Sequence, residues 1–205
     1  MSIDSFKHIY SEPLMGNKTI FLLLHGTGGD ENDLIQLAKM IDPQAGILSL
    51  RGNIDENGMN RFFKRKAMGI LDEDSLKAET IKLNTFLESA SNEYGFDNRQ
   101  LVAIGYSNGA NIAASLLFHF NDTLYQGMFL HPMVPTRSLA LPDLSNQRIF
   151  IGAGENDPIC SPEETEELES MLKNAGASVQ TYWGQDGHRL SNPEVDAASI
   201  WYENL

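Results

Sequence analysis

A chain of 205 residues, 41% apolar and 21% charged, is long enough for one α/β domain spanning 1–205 that buries roughly 70% of its unfolded surface, and it needs no second domain. A formal net charge of −13 leaves too few cations to displace phosphate counterions, which argues against a nucleic-acid partner. Cys160 is the only cysteine, the opening MSIDSFKHIY has neither the basic nor the apolar region of a secretory signal, and no apolar run approaches the ~20 residues of a membrane span, so a cytoplasmic protein is expected.

Short apolar runs alternate with helical patterns along the chain, the signature of a mostly parallel sheet covered on both faces. Thr19–Leu24 is the first strong strand. Asp30 is placed to cap a helix to about Ile41, with Leu34, Leu37, Ala38 and Ile41 on one face. Gly46–Leu50 reads as a strand, and a helix from about Asp74 to Tyr94 ends at Gly95. Residues 101–104 form the next strand, and the helix from Asn108 to about Phe120 is apolar nearly all round, hence buried against the sheet. Gln126–Leu130 and Arg148–Gly152 are further strands. Ser161-Pro162-Glu163-Glu164 starts a helix that stops at Gly176, Val179–Trp183 is the last strand, and Asn192-Pro193 opens a terminal helix.

The segment with the most chemistry is Gly105-Tyr106-Ser107-Asn108-Gly109. It joins a strand to a helix through a turn whose glycines remove side chains that would collide, lifting a serine hydroxyl off the strand end. Serine alone is a poor nucleophile and needs a base, itself oriented by an acid. In such a sheet these partners follow in the order acid, then histidine, each from a loop at the carboxyl end of a later strand. Asp157, after the strand ending at Gly152, and His188, after the one ending at Trp183, meet both conditions. Glu155 and Asp186 are the competing acids, and Pro158 behind Asp157 favours the latter. His131 follows a strand end but precedes the acid, so it is expected to line the pocket or satisfy core backbone groups. Cys160 is expected to be a small buried side chain.

The negative oxygen of a tetrahedral intermediate needs donors. The N–H of Asn108 is one, and the loop His25-Gly26-Thr27-Gly28-Gly29 supplies a second from Thr27. That loop fits neither a dinucleotide fingerprint nor a phosphate-binding P-loop. Residues 51–71 are the longest non-periodic stretch and carry five of the fifteen cations. Following a strand end, they are expected to wall a substrate pocket, with Met59, Phe62 and Phe63 giving apolar surface and Arg61 a cation. Only seventeen residues, three of them proline, separate Leu130 from Arg148. No helical cap fits there, so the site should be open and roofed by loops.

These residues resemble the small cap-less α/β-hydrolases of the carboxylesterase, phospholipase and acyl-protein-thioesterase group. More narrowly, the blocks Leu24–Asp30, Arg51-Gly52, Glu56–Met59, Arg61–Phe63, Gly105–Asn111 and His131–Met133 resemble hydrolases of Gram-positive bacteria induced by hydroquinone stress. The resemblance spans nearly the whole chain and implies a Ser107–Asp157–His188 triad with an oxyanion hole from Thr27 and Asn108. Acyl-protein thioesterases differ in having glutamine after the serine and in lacking the 57–61 block. Dienelactone hydrolases share the fold with a cysteine nucleophile, where this chain has Ser107.

The reading is therefore a serine hydrolase of small to medium esters. No metal or organic cofactor is expected, since the sequence shows no metal-ligand cluster, and homodimerisation is left open. A thioesterase or lysophospholipase is the nearer alternative. A ligand receptor retaining the fold is the other, disfavoured by the three intact polar residues.

Overall fold

Runs such as Ile20–Leu24 are too short for a helix and apolar on both faces, which suits a strand sandwiched between helix layers. In the computed structural model, which describes residues 3–14 and 16–205, they build an α/β-hydrolase fold. Two residues of the amino-terminal decapeptide read above, 1 and 2, lie outside the described residues. The chain runs through β1 (His8–Ser11), β2 (Ile20–Leu24), α1 (Ile35–Ile41), β3 (Gly46–Leu50), β4 (Ile54–Glu56), β5 (Met59–Arg61), β6 (Arg65–Ala67) and β7 (Ile70–Leu71). It continues through α2 (Glu73–Tyr94), β8 (Leu101–Tyr106), α3 (Asn108–His119), β9 (Gln126–Leu130), β10 (Arg148–Gly154), α4 (Pro162–Asn174), β11 (Ser178–Gly184) and α5 (Asn192–Glu203).

Seven strands form the main sheet in the order β1-β3-β2-β8-β9-β10-β11. All neighbours pair parallel except β1, which runs antiparallel to β3 at one edge. The order reverses direction between β2 and β8, so their carboxyl ends open the crevice where open α/β sheets hold ligands. Side chains of β2 alternate between two cores. Leu22 and Leu24 pack with α2, α3 and α4 on one face, whereas Phe21 and Leu23 pack with α1 and α5 on the other. The β9–β10 connection, residues 131–147, contains no helix, and nothing caps the crevice from there.

Several expectations change. The first helix starts at Ile35 rather than Asp30, because Asp30 is engaged by the Asn32 amide and by Arg51. The strand expected over 101–104 continues to Tyr106, and the one over 148–152 continues to Gly154. The stretch 51–71, read as a loop, contains two antiparallel hairpins, β4–β5 and β6–β7. The first turns on Asn57 and Gly58, both with positive φ (56° and 83°), the pair that a two-residue hairpin turn prefers. The edge strand β1 went unread because it is short and only partly buried.

What positions α3 is a near-contact of backbones. A Cβ on Gly109 would fall on the carbonyl of Leu24, and one on Gly105 would lie 2.7 Å from the carbonyl oxygen of Gly109. Both obstacles are backbone and cannot rotate away. Gly109→Ala is therefore expected to lower the unfolding free energy by about 2–3 kcal/mol, read by chemical denaturation; unchanged stability would show that α3 can shift off β2.

Candidate active site

Ser107 stands where β8 gives way to α3, with φ 51° and ψ −111°. A non-glycine residue seldom adopts such a backbone unless its surroundings hold it there. Here the hold is visible. The Ser107 N–H donates to the Leu130 carbonyl at 2.9 Å, and its own carbonyl accepts from Asn111 at 3.0 Å.

The loops after β10 and β11 bring two further groups to the serine. They pack so closely that a Cβ on Gly154 would strike the Gly187 carbonyl, and the Gly187 N–H donates to Asn156 Oδ1 at 2.9 Å. His188 Nε2 then lies 2.9 Å from Ser107 Oγ, and its Nδ1 lies 2.6 Å from Asp157 Oδ2. The Tyr106 hydroxyl donates to the His188 carbonyl at 2.5 Å and steadies that loop. Burial alone would raise the Asp157 carboxyl, but the N–H groups of Cys160 and Ile159, with His188, outweigh it and hold the group below its ordinary value. The competitors Glu155 and Asp186 are exposed and form no bond to His188.

The 25–29 loop is equally constrained. The N–H groups of Gly28 and Gly29 are committed to the carbonyls of Asn60 and Gly26, at 2.9 and 3.1 Å. Thr27, between Gly26 and Gly28, lines the cavity in front of Ser107 together with Asn108. As the first residue of α3, Asn108 has a backbone N–H without a helical acceptor. Its side-chain Oδ1 accepts from the Phe62 N–H at 2.7 Å. Gly52 N–H donates to His25 Nε2 at 3.0 Å, and Arg61 donates to Thr27 Oγ1 at 2.6 Å. The β4–β5 segment thus laces both halves of this region together.

The cavity has a volume of about 210 Å³. Besides the residues above, its wall includes Arg65, Met68, Ile70, Met133 and Ile159. Of the four residues expected to bind substrate, only Arg61 lines it, and Arg61 is buried between Thr27 and the Phe63 carbonyl. Met59 is partly exposed and sits against Gly28, off the cavity wall. Phe62 and Phe63 are fully enclosed in the core that contains Leu24 and Phe86. Both rings lie in the bend between the two hairpins, where the chain passes over the core, and Met68 and Ile70 of the second hairpin meet the cavity instead.

His131 lines the cavity as its sequence position suggested, but its bond to Asp157 and the glutamate behind it escaped the sequence reading. Its Nδ1 lies 2.9 Å from Asp157 Oδ2. Behind it, Glu194 lies 3.4 Å from His131 Nε2 and is buried. The run Ser191-Asn192-Pro193-Glu194 carries the spacing of a helix-capping box, which disguised the glutamate as a helix-start device. His131, Asp157 and His188 present atoms that all lie within 4.8 Å of one another, and the two Nδ1 atoms both bond Asp157 Oδ2. Cys160 is buried, which pushes its thiol up to about 12, and its sulfur donates to the Pro132 carbonyl.

The Dienelactone hydrolase family profile matches residues 55–202. The chain is 48% identical to MhqD of Bacillus subtilis (strain 168), a protein named as a hydrolase, over 96% of this chain and 98% of that one. A carboxylesterase of Bacillus cereus is 51% identical and superimposes with a TM-score of 0.95, covering 98% of this chain and 94% of its own. A carboxylesterase of Mesorhizobium loti, 28% identical, gives 0.92 over 98% and 95%. Their similarity extends across the whole sheet, including the elements that carry Ser107, Asp157 and His188.

The enclosed position of the two phenylalanines sets an outcome for each. Phe62→Ala and Phe63→Ala should each cost about 3–5 kcal/mol of stability, measured by denaturant unfolding, as cavities open in the core. A variant with unchanged stability and an altered ester preference would put that ring in the substrate pocket after all.

Proposed function

The chain belongs to the dienelactone hydrolase family and is a hydrolase of the carboxylesterase type, and from that premise we propose that it cleaves carboxylic esters through an acyl-enzyme on Ser107. The observation that carries this reading is the continuous run of contacts from Ser107 Oγ through the His188 ring to Asp157, at 2.9 and 2.6 Å.

In this mechanism Ser107 Oγ attacks the ester carbonyl carbon as its proton passes to His188 Nε2. The carbonyl oxygen becomes an anion, received by the N–H groups of Thr27 and Asn108, each such donor typically worth ~3–4 kcal/mol in the transition state. Collapse breaks the bond to the alcohol, which leaves with the proton from His188. Water then attacks the acyl-serine with His188 again as base, returning Ser107 and releasing the acid. Asp157 holds the His188 tautomer and stabilises the imidazolium that forms.

The cavity supports small to medium esters. Its wall is partly apolar, through Met68, Ile70, Met133 and Ile159, and partly cationic, through Arg61 and Arg65. The resemblance to hydrolases induced by hydroquinone stress makes phenolic esters the first class to screen, with matched thioesters alongside them. A receptor retaining the fold has no need of an aligned serine, so fluorophosphonate labelling separates that alternative from an enzyme.

Ser107→Ala should abolish hydrolysis and labelling with the fold intact, because loss of the nucleophile costs up to ~10⁶ in rate. Asp157→Asn should lower the rate by as much as ~10⁴, and kcat/KM of the parent should fall toward acid pH, where a general base is blocked by its own proton. Most of the turnover surviving in the alanine variant would overturn the mechanism.

Selectivity gives a separate outcome. Met68→Ala and Ile70→Ala should shift the preferred ester length, since each methylene in an apolar pocket changes discrimination by ~1–3 kcal/mol. Arg65→Ala should weaken anionic esters while acetate turnover persists. Identical profiles across an ester panel would move the pocket away from the second hairpin.

A further inference from the structure

We propose that His131 and Glu194 form a buried imidazolium–carboxylate pair that positions Asp157 and moderates its pull on His188. The inference rests on the triad reading above and adds two positioning residues to it.

Asp157 is saturated with donors. Its Oδ1 accepts the N–H groups of Ile159 and Cys160 at 2.8 and 3.0 Å, and its Oδ2 faces His188 and His131 at 2.6 and 2.9 Å. A triad acid needs one histidine; this one serves two. Both nitrogens of the His131 ring face carboxylate oxygens, Asp157 at Nδ1 and Glu194 at Nε2. A neutral imidazole has a single N–H and cannot donate to both. The doubly protonated ring can, and its charge lies between two anions.

The surroundings are built for this pair. His131 holds a positive φ of 55°, a conformation a histidine rarely adopts, and its N–H donates to the Gly152 carbonyl at 2.7 Å. Glu194 occupies the third position of α5, where a capping-box glutamate would normally turn back to the helix start. Its carboxylate turns inward instead, against β10, where a Cβ on residue 152 would fall on Oε1. Glycine at that position leaves the necessary room. Glu194 Oε1 has no hydrogen-bond partner among the described residues, and leaving such an atom buried is costly. A helix cap alone does not account for that cost. Burial pulls the His131 ring toward the neutral form, but Glu194 and then Asp157 outweigh it and raise the group above its ordinary value.

The His131 and His188 ring centroids are 5.1 Å apart. A positive charge at that distance opposes protonation of His188, and sharing Asp157 Oδ2 takes part of the charge that would otherwise favour it. Glu194, on the far side of His131, offsets this less because it is more distant. Other groups near the His131 ring are the edge-on Tyr106 ring at 6.0 Å, the uncharged Cys160 thiol beyond Pro132, and Arg61 and Arg65 along the shared cavity. The pair thus sets a positive charge beside the ring that accepts the serine proton.

Two measurements test this. Imidazole ¹⁵N spectra of the parent at pH 7.5 should show one histidine protonated on both nitrogens, missing from His131→Asn, a change that tolerates the positive φ. In the double variant His131→Asn with Glu194→Gln, the acid limb of kcat/KM should move to higher pH. At pH 6 this variant should lose about threefold to tenfold more, relative to its own plateau, than the parent does. A merely structural role would lower the plateau without moving the limb. A neutral His131 ring in the parent, or an unmoved limb, overturns the proposal. The spectra of the parent read out even where the double variant does not fold. Fluorophosphonate labelling of the parent keeps the two readings apart: no labelling sinks the triad, whereas labelling with an unmoved limb sinks only the pair.

Discussion

Everything at the active centre hangs on how closely α3 can start against the end of β2. Gly109 brings a helix backbone onto the Leu24 carbonyl, and Gly105 lets the same turn close on itself. That approach fixes the left-handed backbone of Ser107 and sets the first turn of α3 beside the Thr27 loop. Ser107 and the N–H of Asn108 are therefore placed by one packing event. The loops after β10 and β11 have only to deliver Asp157 and His188 to a point already defined, and parallel pairing of β10 with β11, Gly154 opposite Gly184, brings both loops to the same height.

The β4–β5 hairpin plays a different part from the one its composition suggests. Its polar groups face the Thr27 loop, where Asn60 bonds both Gly28 and Gly29 and Arg61 bonds Thr27, and just beyond it the Phe62 amide bonds Asn108 of α3. The rings of Phe62 and Phe63, just after the hairpin, fill the core beneath. An asparagine after the nucleophile suits this arrangement, because its short side chain accepts from the Phe62 amide while its own backbone N–H stays available. Arg61 is buried as it does so, and burial lowers its affinity for the proton, which makes its bonds to Thr27 and the Phe63 carbonyl the more important to its placement.

Much of this was legible in the residues. Strand ends, the glycines around Ser107 and the order of serine, acid and histidine mark where a reactive centre could assemble, because they reflect backbone sterics and chain topology. The first helix was overextended because Asp30 resembles a cap while in fact serving Arg51. The 51–71 stretch was read as loop although Asn57-Gly58 spells a hairpin turn; strands of two or three residues show too little periodicity to stand out. Phe62 and Phe63 were assigned to the pocket because composition says that aromatics are present but not that the bend carrying them is buried in the core. Glu194 was hidden by its spacing from Ser191, since one pattern serves both a helix cap and an inward carboxylate.

The second hairpin closes on itself at its base. The Asp72 N–H donates to the Lys64 carbonyl, and the Lys64 N–H to Ser75 Oγ, so the hairpin begins and ends at the amino terminus of α2 whatever lies between. Its strands pair with each other and with no strand of the main sheet. The tip, with Met68 and Ile70 exposed over the cavity, can change length or sequence without altering any register in the sheet or any atom of the Ser107 turn. The cavity wall and the Ser107 turn are thus built by separate parts of the chain, and one can change shape while the other keeps its backbone.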